Sequence, residues 1–171
     1  MMKRSKLVWI IPALMFVVFG YYVLAFGRLV VNETDSLPDN AFAMVTWPKV
    51  LQRGAIVAVE MPEALRQQYP DPHLFLTKRI VGLAGDEVAV EGDQICVAET
   101  CVEGNRKDGQ LVAPLWTASV VPAETIAIFG ESKDSLDSRY DVIGAIPIET
   151  IEAVGFAIPF PHRTELAEWL K

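Results

Sequence analysis

The stretch "LFLTKRIVGLAGDEVAVEGDQICV", residues 74–97, decides the fold. It holds three runs rich in β-branched residues, 74–83, 87–92 and 94–97, divided by Ala84-Gly85-Asp86 and by Gly92-Asp93. Short apolar runs punctuated by Gly/Asp turn signals read as successive strands. The same texture recurs outward along the chain at 42–47, 55–60, 124–130 and 151–158. It is bounded by Pro48, Arg53-Gly54, the segment Gly104 to Gly109, and Pro122. The expected fold class is therefore mainly β, an antiparallel sheet domain of coiled or barrel-like form. Residues 62–69 and 163–170 read as two short helices, the second with Thr164 placed as its cap.

One residue breaks the pattern of the first run. Period-two alternation puts Leu74, Leu76, Lys78 and Ile80 on one face, with Thr77 and Arg79 on the other. A lysine on an apolar face can snorkel, laying its stem on apolar neighbours and its ammonium in water. Alternatively it stays desolvated, its pKa falls, and the neutral amine can take a proton from a nearby hydroxyl. With a serine as partner, that is nucleophilic catalysis without histidine. Two further polar clusters could supply the serine: Thr34-Asp35-Ser36 and Ser135-Leu136-Asp137-Ser138-Arg139. The two histidines, His73 and His162, lie in proline-bordered, loop-like contexts and make a weaker base.

The N-terminal part sets the surroundings. Leu7 to Phe26 holds 20 residues without a charge, and about 20 suffice for a helix to cross the hydrocarbon of a bilayer. Lys3, Arg4 and Lys6 precede this run and only Arg28 closely follows, so the positive-inside rule leaves the N-terminus in the cytoplasm. Three parts are expected: a cytoplasmic basic segment at 1–6, a single transmembrane helix at 7–26 and an extracytoplasmic domain at 29–171. The rival is a cleaved signal peptide, since Val23-Leu24-Ala25 resembles a small-x-small site, but the run exceeds the usual ~7–15-residue core.

The formal net charge of -7 hides an asymmetry: residues 1–28 carry four basic groups and no acid, leaving 11 basic against 22 acidic groups beyond them. A domain so acidic repels phosphate backbones, and no basic run interleaved with aromatics appears, so nucleic acid is not an expected partner. Cys96 and Cys101 are spaced like the two sides of a tight hairpin. In an oxidising compartment they read as a disulfide, with two unpaired thiols as the other reading. Neither histidine is near a cysteine in sequence, so a zinc site has little support.

Three segments, in order behind one N-terminal anchor, resemble the type I signal peptidases. Thr34-Asp35-Ser36-Leu37 is similar to their Ser-x-Ser-Met serine box. "KRIVGLAGDEV", from Lys78 to Val88, is similar to their Lys-Arg-Val-x-Gly-x-x-Gly-Asp box. "GESKDSLDSRYDVIGAIP", from Gly130 to Pro147, is similar to their Gly-Asp-x-x-x-x-Ser-x-Asp-Ser-Arg box, with Glu131 in place of the aspartate. Pro38 directly after Leu37, and Phe42 four residues on, look more like the conjugative-transfer (TraF-type) branch; Asn40 stands where that branch has glycine.

The resemblance implies a serine endopeptidase with Ser36 as nucleophile and Lys78 as base. Thr34 would complete the oxyanion hole, and Ser135 would orient the lysine. Asp137 and Arg139 would form a structural ion pair beside Ser138, unless they are an ordinary surface pair. No cofactor and no metal are implied. The expected partners are the lipid bilayer and a membrane-anchored precursor protein, a propilin of a conjugative system or a general secretory precursor. The enzyme would sit in the cytoplasmic (inner) membrane with its catalytic domain in the periplasm. The alternatives are a housekeeping signal peptidase and a non-catalytic tethered β scaffold of a secretion complex.

Overall fold

The computed structural model describes residues 4–31, 36–67, 69–71 and 73–159 of the 171-residue chain. A helix, α1 (Arg4–Phe26), runs without a break into β1 (Gly27–Val31). There follow β2 (Ala41–Val45), β3 (Ile56–Glu60), the single-turn α2 (Glu63–Arg66), β4 (Phe75–Leu83), β5 (Val88–Glu91), β6 (Gln94–Val97) and β7 (Thr100–Glu103). The chain ends its described part with β8 (Arg106–Lys107), β9 (Gln110–Leu111), β10 (Thr125–Phe129), β11 (Ile146–Pro147) and β12 (Ile151–Ile158).

The span Trp9–Phe26 of α1 has mean hydropathy 2.1 and none of it is buried among the described residues, and α1 is long and apolar enough to cross a membrane. Helical geometry pairs the backbone within the segment, which a bilayer interior demands. The end of α1 is tied to the sheet domain: Tyr22 Oη donates to the Trp47 carbonyl at 2.8 Å, and the Phe26 and Trp47 rings lie 5.7 Å apart.

Seven strands make the main sheet in the order β1-β2-β12-β3-β4-β10-β11, every neighbouring pair antiparallel. β5, β6 and β7 form a smaller meander, and β8 and β9 a short hairpin. β3 shows how the sequence fills both faces. Val57 and Val59 pack with Leu76, Ile80, Ile128 and Ile151 in one cluster. Ile56 and Ala58 pack with Leu37, Phe42 and Met44 in another, on the opposite side. A third cluster, including Ile95, Val97, Trp116, Phe129 and Tyr140, joins the small meander to the main sheet. Each fully buried Ile or Val contributes about 1.5–3 kcal/mol.

The expected antiparallel β domain is the observed one. β1 extends it: Gly27 to Val31 pair with Val45 to Ala41, so the sheet starts at the end of the helix rather than after a linker. The helix expected at 62–69 shrinks to Glu63–Arg66, and the one expected at 163–170, with Thr164, lies outside the described residues. Cys96 and Cys101 face one another across the β6–β7 hairpin and are joined in a disulfide, which decides between the two readings of that pair.

Candidate active site

β4 and β10 bring the site together. Their ladder runs Ile126–Leu83 and Ala127–Gly82, then slips so that Ile128 pairs with Ile80 and Phe129 with Arg79. Such a bulge re-aims a strand and is common beside functional sites. One step beyond Phe129, β10 ends and the chain enters the loop that begins at Gly130.

Lys78 holds the position that alternation gives it, opposite Val57 of β3 and between Leu76 and Ile80. It is not snorkelled to the surface, since only 4% of it is exposed. Burial disfavours its ammonium form and pushes the pKa from 10.5 down to about 8; the carboxylate of Asp137 opposes this fall and the guanidinium of Arg139 assists it.

Gly130 is the knot of the site. Its amide donates to Asp137 Oδ2 at 2.7 Å, and its carbonyl accepts from Arg139 Nη2 at 3.0 Å. A β-carbon there would stand 2.7 Å from Ser135 Cβ and 2.9 Å from the Ser36 carbonyl oxygen, so no larger residue fits. That Ser36 carbonyl accepts from the amides of Glu131 at 2.8 Å and Ser132 at 3.4 Å. The backbone of the serine turn is thereby fastened to the loop that follows β10, and Ser36 itself is buried. Thr34 lies outside the described residues.

Asp137 and Arg139 are a buried pair, not a surface one: their exposures are 0% and 2%. Arg139 Nε reaches Asp137 Oδ1 at 2.8 Å and Nη2 reaches Oδ2 at 2.9 Å, the bidentate fork that a guanidinium is shaped for. Its remaining donors go to the carbonyls of Glu103, Lys133, Gly130 and Ser132. Ser138 pins the same loop to β10, its Oγ accepting from the Ile128 amide and its own amide donating to the Ile128 carbonyl, each at 3.0 Å.

Ser135 sits within this loop, buried against Gly130, and its Oγ has no hydrogen-bond partner among the described residues. The hydrogen bond to Lys78 expected of it is therefore absent in this structure. Glu131, where the signal peptidase pattern has aspartate, reaches Arg79 at 2.8 Å. The residue beside the buried lysine is thus linked to the loop that holds Ser36. Sequence reasoning missed two members of this assembly: the steric need for Gly130, and Asn105, which binds the loop from the small meander. A strand-ending glycine directly before a polar box was a signal for the first; nothing local marks the second.

What the described groups offer chemically is a buried amine of lowered basicity, a serine on a tightly held turn, and an acidic–basic pair fixing the loop between them. Among the described residues no cluster of His, Cys, Asp and Glu could hold a metal ion.

Comparison with known proteins bears on the same region. A signal peptidase I from Leptolyngbya laminosa is 30% identical over 104 residues, 58% of this chain and 48% of that one. The chain thus spans about half the length of that relative. A solved signal peptidase I from Enterococcus faecalis aligns with 62% of this chain and 97% of its own, at 20% identity and a TM-score of 0.39. The family model described as "Signal peptidase, peptidase S26" matches residues 2–159, nearly the whole of the chain. The chain belongs to the peptidase S26 signal peptidase family.

Proposed function

We propose that this protein is a membrane-anchored serine endopeptidase that removes leader peptides from exported precursors by a Ser36/Lys78 dyad. The observation that carries the reading is the burial of Lys78, whose pKa is lowered to about 8 on a strand beside the loop that grips Ser36. An amine of that basicity is neutral in about a tenth of the molecules at pH 7, several hundred times the fraction for an ordinary lysine, and that fraction can act as a general base. The apolar α1 and the family together point to a membrane-anchored protein. The inside-positive flank favours a periplasmic catalytic domain.

In the forward step Ser36 Oγ attacks the scissile carbonyl while its proton passes to Lys78 Nζ. The tetrahedral oxyanion is met by the Ser36 amide and the Thr34 hydroxyl; one such donor is worth about 10²–10³ in rate. Collapse transfers the proton from the Lys78 ammonium to the leaving amine and leaves an acyl-serine. A water, giving its proton to Lys78, then hydrolyses the ester. Ser135 holds the lysine as substrate closes the site, consistent with catalytic hydrogen bonds that tighten only in the complex.

Ser36-Leu37-Pro38 followed by Phe42 favours a conjugative propilin as the precursor, in a role in pilus assembly. The similarity to a signal peptidase I favours a second reading, a housekeeping enzyme with many secretory substrates. Co-expression with candidate precursors, wild type against Ser36→Ala, followed by mass measurement of the membrane-bound product, tests both. Cleavage of one pilin precursor alone supports the first and cleavage of many the second. No cleavage by wild type that is folded and in the membrane overturns the peptidase reading in favour of a tethered scaffold.

A further inference from the structure

We infer that Asn105, on the connection leaving β7, is a positioning residue that sets the geometry of Ser135 from outside the site; this rests on the peptidase reading above. Asn105 touches the loop at both of its ends. Its side-chain Nδ2 donates to Asp134 Oδ1, immediately before Ser135. Its backbone amide donates to Tyr140 Oη at 2.8 Å, immediately after Arg139. Tyr140 is fully buried, so this second bond is an immovable reference point. Two residues upstream, the Glu103 carbonyl accepts from Arg139 Nη1 at 3.2 Å.

The platform beneath Asn105 is rigid. Gly104 donates its amide to the Asp93 carbonyl at 2.8 Å, and a β-carbon on it would meet Leu111 at 2.7 Å and Leu115 at 3.0 Å. The disulfide between Cys96 and Cys101 closes the hairpin from which this connection emerges. The meander therefore acts as a jig. The Tyr140 end of the loop is fixed by packing; the Asp134 end is held within its own turn, the Ser135 amide donating to the Ser132 carbonyl at 3.2 Å and the Asp134 amide to Ser132 Oγ at 3.3 Å, and is tied to the meander by the side chain of Asn105. Releasing that bond leaves the turn at Ser132 intact but lets it shift relative to the meander, moving Ser135, while Asp137, Ser138 and Arg139 keep their own bonds.

The experiment uses full-length protein in detergent micelles and an internally quenched peptide carrying an Ala-x-Ala site, the small-residue pattern of leader peptides. Asn105→Ala is expected to lower kcat about fivefold at unchanged KM, the effect of one modest hydrogen bond. Asn105→Asp, facing Asp134, is expected to lower it further. The double variant Asn105→Asp with Asp134→Asn reverses donor and acceptor and is expected to recover most of the loss. Because the effect runs through Ser135, Asn105→Ala is expected to change kcat less than about twofold in a Ser135→Ala background, the signature of coupled residues.

Equal losses in both backgrounds, no recovery in the swapped pair, or full activity of Asn105→Ala overturn the inference. Melting temperatures of the variants identify a fall caused by unfolding, which also counts against it. Wild type and Ser36→Ala run alongside: a wild type inactive on this peptide and on every co-expressed precursor sinks the peptidase reading itself, whereas an active wild type with an indifferent Asn105 sinks only the positioning role.

Discussion

Replacing Lys78 by methionine is expected to abolish cleavage and make the protein more stable. The magnitude follows from the burial of the charge. Folding lowers the lysine pKa from 10.5 to about 8, and at about 1.4 kcal/mol per pH unit the folded state loses roughly 3 kcal/mol by keeping an ammonium there. Methionine has a similar unbranched stem and no charge to desolvate, and Leu76, Ile80 and Val57 already surround the site with apolar neighbours. Exchanging a buried charge for an apolar group of like volume is often stabilising.

The sign of the pH dependence is fixed by the direction of the shift. Below pH 8 the lysine is charged in folded and unfolded chains alike, so the whole cost is present and the variant gains its full advantage. As pH rises from about 8 to 10.5 the folded lysine is neutral while the unfolded one still binds a proton, and the advantage shrinks. Urea unfolding of wild type and Lys78→Met in the same mild detergent, at pH 6.5 and at pH 10, measures both quantities. A variant no more stable than wild type at pH 6.5, or an advantage that grows towards pH 10, refutes a desolvated lysine.

Peptide cleavage by wild type should rise about tenfold per pH unit up to a bend near pH 8, as the neutral fraction of Lys78 grows; a rate flat between pH 6 and 8 rules out a base of that pKa. Gly130→Ala should cost about 1–3 kcal/mol by overpacking and should lose most activity, because the added methyl displaces either Ser135 or the Ser36 carbonyl. Comparing its unfolding curve and its turnover with wild type checks both parts, and a well-folded, fully active variant contradicts the knot described at Gly130.

Much of the sheet was legible because its central strands are short apolar runs between turn residues: β3, β4, β6, β10 and β12 fall within the expected segments. β1 was hidden because Gly27 to Val31 continues the apolar texture of the helix before it, and only pairing with β2 makes it a strand. The hairpin of β8 and β9 was hidden by its polar residues, Arg106 and Lys107, which read as a turn. At the site, Lys78 announced itself by its polarity on an apolar face. Whether Asp137 and Arg139 were buried could not be read locally, since the Arg139 guanidinium lies against the Phe129 ring of β10 and donates to the Glu103 carbonyl of the meander, neither of them a neighbour in sequence. Asn105 was illegible for the same reason: its partners Asp134 and Tyr140 are joined to it only by the fold.

The bond from the Glu131 amide to the Ser36 carbonyl joins the first turn of the domain to one of its last loops. Contacts between such distant parts of a chain close late, after the intervening loops have been drawn in. During synthesis the turn carrying Ser36 is made early, whereas Gly130 to Arg139 follow only after most of the sheet's strands. The turn carrying Ser36 therefore reaches its final geometry only once Gly130 to Arg139 are in place, so the first part of the domain to be made is among the last to be finished.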